Sequence, residues 1–84
     1  MKKYSVSLHG HATSVSLEPE FWQVLQKMAQ DNDLSVPQLI SVIDDHRIHQ
    51  PALGLSAAIR VFILEHLRAK LETEHKPYRL SIPL

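Results

Sequence analysis

Near the start of the chain, apolar residues fall on every second position: Tyr4, Val6 and Leu8, then Val15 and Leu17, with Thr13 in phase with the later pair. This is the two-residue period of strands that cover a core with one face. The letters Ser-Val-Ser-Leu occur at 5–8 and again at 14–17, separated by a stretch that contains His9-Gly10-His11. A hairpin pairing Leu8 with Thr13 would also set Val6 opposite Val15 and Tyr4 opposite Leu17, leaving one face uniformly apolar. The repeat is therefore compatible with two strands on one core, although four residues are too few to establish a duplication.

From residue 19 the period lengthens to that of a helix. Pro19 suits a first turn, Glu18 and Glu20 favour the positive helix start, and Phe21, Trp22, Leu25, Met28 and Ala29 form one stripe. The pattern predicts a first helix at about 19–31, broken by Asn32-Asp33-Leu34-Ser35. Ser35 reads as an N-cap with Gln38 completing a capping box, Pro37 is tolerated in the first turn, and Val36, Leu39, Ile40 and Ile43 follow at helical spacing. A second helix is predicted at about 36–46. Pro51 and Gly54 mark a connector, after which Ser56 is expected to cap a third helix at about 57–73, with Ile59, Phe62, Ile63 and Leu67 as its stripe. Residues 1–75 thus form one domain. The tail, 76–84, alternates Tyr78, Leu80 and Ile82 between two prolines and is expected to be an extended arm or an edge strand.

Length adds a constraint, because a chain of 84 residues buries only about 60–65% of its unfolded surface. There is no cysteine to supply a disulfide or a Cys-based zinc cluster, so the missing stability is expected from oligomerisation, most simply a dimer. No apolar run approaches the roughly 18–20 residues that span a bilayer, and the start lacks the apolar stretch of a signal peptide, so a cytoplasmic location is expected.

Nine basic and nine acidic residues cancel, which argues against the strong overall positive field of many nucleic-acid binders. Their distribution changes that picture. Lys2 and Lys3 stand in a start that holds no acid before Glu18, Lys76 and Arg79 lie in the tail, and the middle is acidic.

The stretch TSVSLEPEFWQVLQKMAQDNDLSVPQLISVI, residues 13–43, resembles the ribbon-helix-helix fold of Arc- and MetJ-type repressors. The likeness is closest to a bacterial branch with a GHxTSVxLExEFW start and a third helix like LSAAIRVFILEHLR, and it covers about residues 8–68. It implies a mainly α protein with a short β-ribbon: an intertwined homodimer in which the strands at about 12–17 of two chains pair and the helices share one core. It further implies that Thr13, Val15 and Leu17 face the helices as the dimer core, and that Ala12, Ser14 and Ser16 form the outer face that reads bases in the major groove. The related pattern usually carries a basic residue where this chain has Ala12 and Ser16, so the base-reading face here is small. Lys2, Lys3 and His11 can reach phosphates from the flank, as can the backbone amides of Ser35 and Val36 at the second helix start. Trp22 is expected to anchor the core or the dimer interface.

Three other readings remain in view. The outer serines also suit the solvated face of an ordinary strand. The histidine pairs His9/His11 and His46/His49 resemble ligand spacings, but without a closed donor set no metal is expected. Asp44-Asp45-His46-Arg47 contains an acid and a base, yet it ends a helix and no nucleophile motif or phosphate loop accompanies it, so no catalytic residue and no cofactor are expected. Two functions follow: a dimeric DNA-binding transcriptional regulator, or an antitoxin-like interaction module that keeps the fold, has lost base readout and holds a protein partner through the third helix and tail.

Overall fold

The computed structural model describes residues 1–47 and 54–74, arranged as β1 (Lys2–Leu8), β2 (His11–Leu17), α1 (Pro19–Asp31), α2 (Val36–His46) and α3 (Leu55–Glu74). The tail with Tyr78, Leu80 and Ile82, and the connector residues His49 and Pro51, lie outside the described residues. β1 and β2 form a two-stranded antiparallel ribbon, so the second strand of the ribbon comes from the same chain.

The ribbon's register differs from the sequence expectation. Leu8 pairs with His11, Val6 with Thr13 and Tyr4 with Val15, whereas the alternation alone suggested Leu8 with Thr13. The cause is the turn. His9 (φ 52°) and Gly10 (φ 78°) both occupy the left-handed region, the requirement of a two-residue type I′ connection, so the strands close two residues earlier. A shift of two preserves side-chain parity, and the apolar set stays on one face. Val15 and Leu17 are fully buried and Val6 nearly so, while Tyr4 and Leu8 pack at the margin of the core.

α1 begins at Pro19 and buries Leu25, Met28 and Ala29 in the core, where the helix packs against α2 and α3. It ends in a Schellman turn: Leu34 N–H donates to the Ala29 carbonyl (2.9 Å) and Asp33 N–H to that of Gln30 (3.2 Å), with Asp33 at φ 55°. Asn32 Nδ2 adds a bond to the Met28 carbonyl at 2.7 Å. Ser35 then starts α2 through a reciprocal capping box, Ser35 Oγ accepting from Gln38 N–H (3.2 Å) and Gln38 Oε1 accepting from Ser35 N–H (2.8 Å). Leu39, Ile40 and Ile43 enter the core from α2, and Ala58, Ile59 and Ile63 from α3.

α3 starts two residues before the position expected from Ser56. Gly54 precedes it and accepts the first helical bond from Ala58 N–H at 2.8 Å, which frees the Ser56 hydroxyl for another partner. Leu67, expected in the core stripe, is 41% exposed instead. The helix is 20 residues long, about 30 Å at 1.5 Å per residue, and its C-terminal half runs past the core it packs on.

Candidate nucleic-acid interface

Alternation along the ribbon leaves Lys3, Ser5 and Ser7 of β1 beside Ala12, Ser14 and Ser16 of β2 on the face away from the helices. All are exposed except Ser16, which is half-buried. Ala12, Ser14 and Ser16, the expected base-facing set, therefore share one surface with three residues that the sequence pattern alone left unassigned. The signal for the second row was present: residues 5–8 repeat 14–17 in the same phase.

The five expected phosphate contacts do not gather on that surface. Lys3 is in phase with the serines; Lys2 is in phase with Tyr4, opposite Leu17, and reaches solvent at the ribbon's end. His11 is exposed but in phase with Thr13, beside the turn. His9 forms part of the turn and lies 3.5 Å from Asp44, whose carboxylate also accepts from Arg47, so the acid of the Asp44–Arg47 stretch is engaged in holding the end of α2. At the α2 start, Ser35 N–H is occupied by Gln38, Pro37 has no N–H, and Gln38 N–H is taken by Ser35 Oγ. Of the two amides in question, that of Val36 meets no side-chain acceptor among the described residues, and that of Ser35 has to release Gln38 before it can meet an anion.

The expected dimer core is buried within one chain. Val15 and Leu17 are 0% exposed, Thr13 is half-buried, and the half-buried Trp22 stacks on Tyr4 of the neighbouring strand, ring centroids 4.0 Å apart and nearly parallel. That stack ties β1 to α1 and adds to the area both rings cover.

α3 grips the free edge of β2. Ser16 N–H donates to Ser56 Oγ at 3.1 Å, and Arg60 donates to the Ser16 carbonyl at 3.3 Å and to Glu18 Oε1 at 2.6 Å, with its guanidinium 5.8 Å from the Phe21 ring centroid. Arg60 holds the Glu18 carboxyl below its ordinary value, chiefly through this hydrogen bond. A lowered carboxylate contributes stability at and above its ordinary titration range and loses it as pH falls through the folded-state value. Glu18→Gln should therefore flatten the acid limb of a plot of melting temperature against pH while leaving the neutral limb parallel to the parent's; an unchanged acid limb would show that the pair contributes nothing.

A shallow groove of about 180 Å³ between α2 and α3 is lined by residues that include Ile43, His46, Phe62 and Glu65. It is smaller than the roughly 300 Å³ at which small-molecule pockets begin. Among the described residues there is no group of three His, Cys, Asp or Glu side chains placed to hold a metal, and no helix is long and apolar enough to cross a membrane.

Comparison with curated proteins returns no match. Among solved structures, the chain is similar to an uncharacterized protein from Bordetella pertussis Tohama I, with 32% identity and a TM-score of 0.73 over 99% of this chain and 67% of that one. The model of the ribbon-helix-helix domain matches residues 1–67, which include the ribbon, α1, α2 and the first two-thirds of α3. With the family model matching most of the sequence, and a ribbon followed by helices in the order that model requires, the chain belongs to the ribbon-helix-helix family.

Proposed function

We propose that the protein is a dimeric, cytoplasmic DNA-binding regulator of transcription whose ribbon enters the major groove. The observation that carries this reading is the ribbon's outer face, a double row of four serines and Ala12, exposed except at the half-buried Ser16, with Lys3 at one end. A two-stranded ribbon fits the width of the major groove, and Ser14 and Ser16 there can bond to base edges, though a serine hydroxyl pairs with several bases and discriminates weakly. Lys2, Lys3 and His11 supply phosphate contacts at the flanks, and the Val36 amide supplies one at the start of α2. Small readers and zero net charge together imply modest affinity and a preference set as much by DNA shape as by base identity.

A second reading has its own support. Leu64, Leu67 and Leu71 of α3 are 55%, 41% and 41% exposed at spacings of three and four, a stripe on one side of a helix that has left the core. In an interaction module this stripe meets a protein partner and the ribbon's serines are solvated surface.

Salt dependence separates the two. Fluorescence anisotropy with duplex DNA at several salt concentrations should give a steep decline of affinity, and Lys2→Ala with Lys3→Ala should flatten the log–log slope by up to about 3–4 for a dimer, at roughly 0.9 per lost contact. Lys3→Ala alone should carry more of the change than Lys2→Ala, because Lys3 shares the serine face. Absence of binding at low salt, or a slope indifferent to both lysines, would favour the partner-binding reading.

A further inference from the structure

α3 leaves the core with an apolar side uncovered. Among the described residues the last it buries is Ile63, and residues 64–74 carry the helix about three turns further, about 16 Å at 1.5 Å per residue. α1 lies along one flank of this extension: the Asp31 carboxyl at its end is held below the ordinary value by the bond from Lys27 and, more weakly, by Lys70 and His66 of α3. α2 lies along the other flank, where Phe62 and Glu65 line the shallow groove and the His46 and Phe62 rings stand 6.2 Å apart. Leu64, Leu67 and Leu71 fall between the two. At about 100° per residue they share an arc of roughly 60°, centred about 125° round the helix from the arc of Ala58, Ile59 and Ile63, which α3 buries.

Two features fit this side to a second copy of the same helix. Spacings of three and four place the leucines at the a and d positions of a two-helix seam, where each leucine packs among those of an identical helix. The flanks are also oppositely charged: Glu65, Arg68 and Glu72 sum to −1 on the α2 side, while Lys70 gives +1 on the α1 side, where Lys27 and Asp31 neutralise each other at 2.8 Å. In a parallel pair the α2 flank of one helix meets the α1 flank of the other, so opposite charges face each other on both sides of the seam. In an antiparallel pair each flank meets its own kind, and the register that overlaps the stripes, Leu64 against Leu71, brings the two Arg68 side chains together. The ribbon's apolar face offers no such surface, since Val15 and Leu17 are already buried under the chain's own helices.

We infer that two copies associate through α3, with Leu64, Leu67 and Leu71 of each packed in a parallel seam. The seam begins beyond Arg60, which is tied to Glu18 and to the Ser16 carbonyl, so the two helices diverge towards the ribbons. Both ribbons then stand at one end of the dimer, each keeping its own β1, β2 and serine face. The inference rests on the dimer in the proposed function and names its interface, and because it is measured without DNA its failure is separate from a failure to bind DNA. A seam of about 16 Å buries an area at the low end of specific interfaces, below about 1,200 Å² for the two chains together, so the association is weak and concentration-dependent.

Sedimentation equilibrium of the full-length protein should show a monomer at about 1 μM and mainly dimer near about 1 mM. Leu64→Lys with Leu71→Lys puts four like charges into the seam and should weaken association by about 100-fold or more. Both residues are exposed, so the circular dichroism of this variant at low concentration should match the parent's. Mixing it with chains carrying Leu64→Glu and Leu71→Glu should restore dimerisation, which a damaged helix could not do. Orientation is read with single cysteines, which the chain otherwise lacks. Under mild oxidation Leu64→Cys and Leu71→Cys should each link to their own kind, and more readily than Gln26→Cys on an exposed position of α1. The inference is overturned by a chain that stays monomeric at the higher concentration, by a dimer that survives both lysines, or by a mixture of Leu64→Cys and Leu71→Cys chains that links mainly across the two variants. A monomer in which Leu64→Cys and Leu80→Cys close within one chain would overturn it as well, assigning the stripe to the protein's own tail.

Discussion

Val15→Asp should abolish the folded state at neutral pH. Val15 is 0% exposed at the centre of the ribbon's inner face, and no buried polar or charged residue occurs among the described residues to receive a carboxylate. An unpaired buried charge costs several kcal/mol even after relaxation and water penetration. A domain of this size has a total stability on the order of 4–12 kcal/mol, and a small core belongs at the lower end. Val15→Thr is the graded control: it keeps the shape and buries one hydroxyl, at about 1–3 kcal/mol, so it should fold with a lowered melting temperature. Circular dichroism melts of the three proteins give the ordering parent, Thr, Asp. A Val15→Asp protein that melts near the parent would mean that Val15 faces solvent and that the strand phase is wrong by one residue.

That phase was legible in the sequence because a two-residue period has only two solutions, and apolar Tyr4, Val6, Leu8, Val15 and Leu17 choose between them. The helix starts were legible for a different reason: Pro19 and the Ser35–Gln38 box act locally, within one turn, and local chemistry survives into the fold. What escaped depends on groups distant in sequence or on rare backbone states. The register followed from a histidine in the left-handed region, where asparagine or aspartate before glycine is the usual turn signal. Ser56 looks like a cap until β2, 40 residues away, is seen to donate to it. The candidate interface was half legible: alternation puts Ala12, Ser14 and Ser16 on the outer face, and the same phase puts Lys3, Ser5 and Ser7 there and Lys2 on the other, but only the register sets Ser5 opposite Ser14, Ser7 opposite Ala12 and Lys3 opposite Ser16. The Ser35 amide was offered to a phosphate on the strength of its helix start, and the capping box that identifies that start is also what occupies it.

Ile59→Ala and Leu64→Ala test how far α3 belongs to the core. Both lie on one helix five residues apart, yet Ile59 is 0% exposed and Leu64 is 55% exposed. Truncating a fully buried isoleucine loses its transfer free energy and leaves a cavity, about 2–5 kcal/mol together, whereas a surface truncation stays within roughly 0.5 kcal/mol. At about 4–8 °C per kcal/mol for a domain of 60–100 residues, Ile59→Ala should lower the melting temperature by upwards of about 8 °C and Leu64→Ala by a few degrees at most. The consequence reaches the ribbon, because Ile59 is the neighbour of Arg60 and lies one turn from Ser56. Loosening α3 there weakens the bonds that hold both backbone groups of Ser16. Amide hydrogen exchange in Ile59→Ala should therefore rise at Ser16 more than at Ser14, because the bonds from α3 to β2 fall on Ser16. Equal exchange at the two serines would mean that α3 does not guard the ribbon's edge. Leu64→Ala should leave both rates unchanged while removing the most exposed member of the leucine stripe, so a partner that docks on that stripe would lose affinity for a protein whose fold and ribbon remain intact.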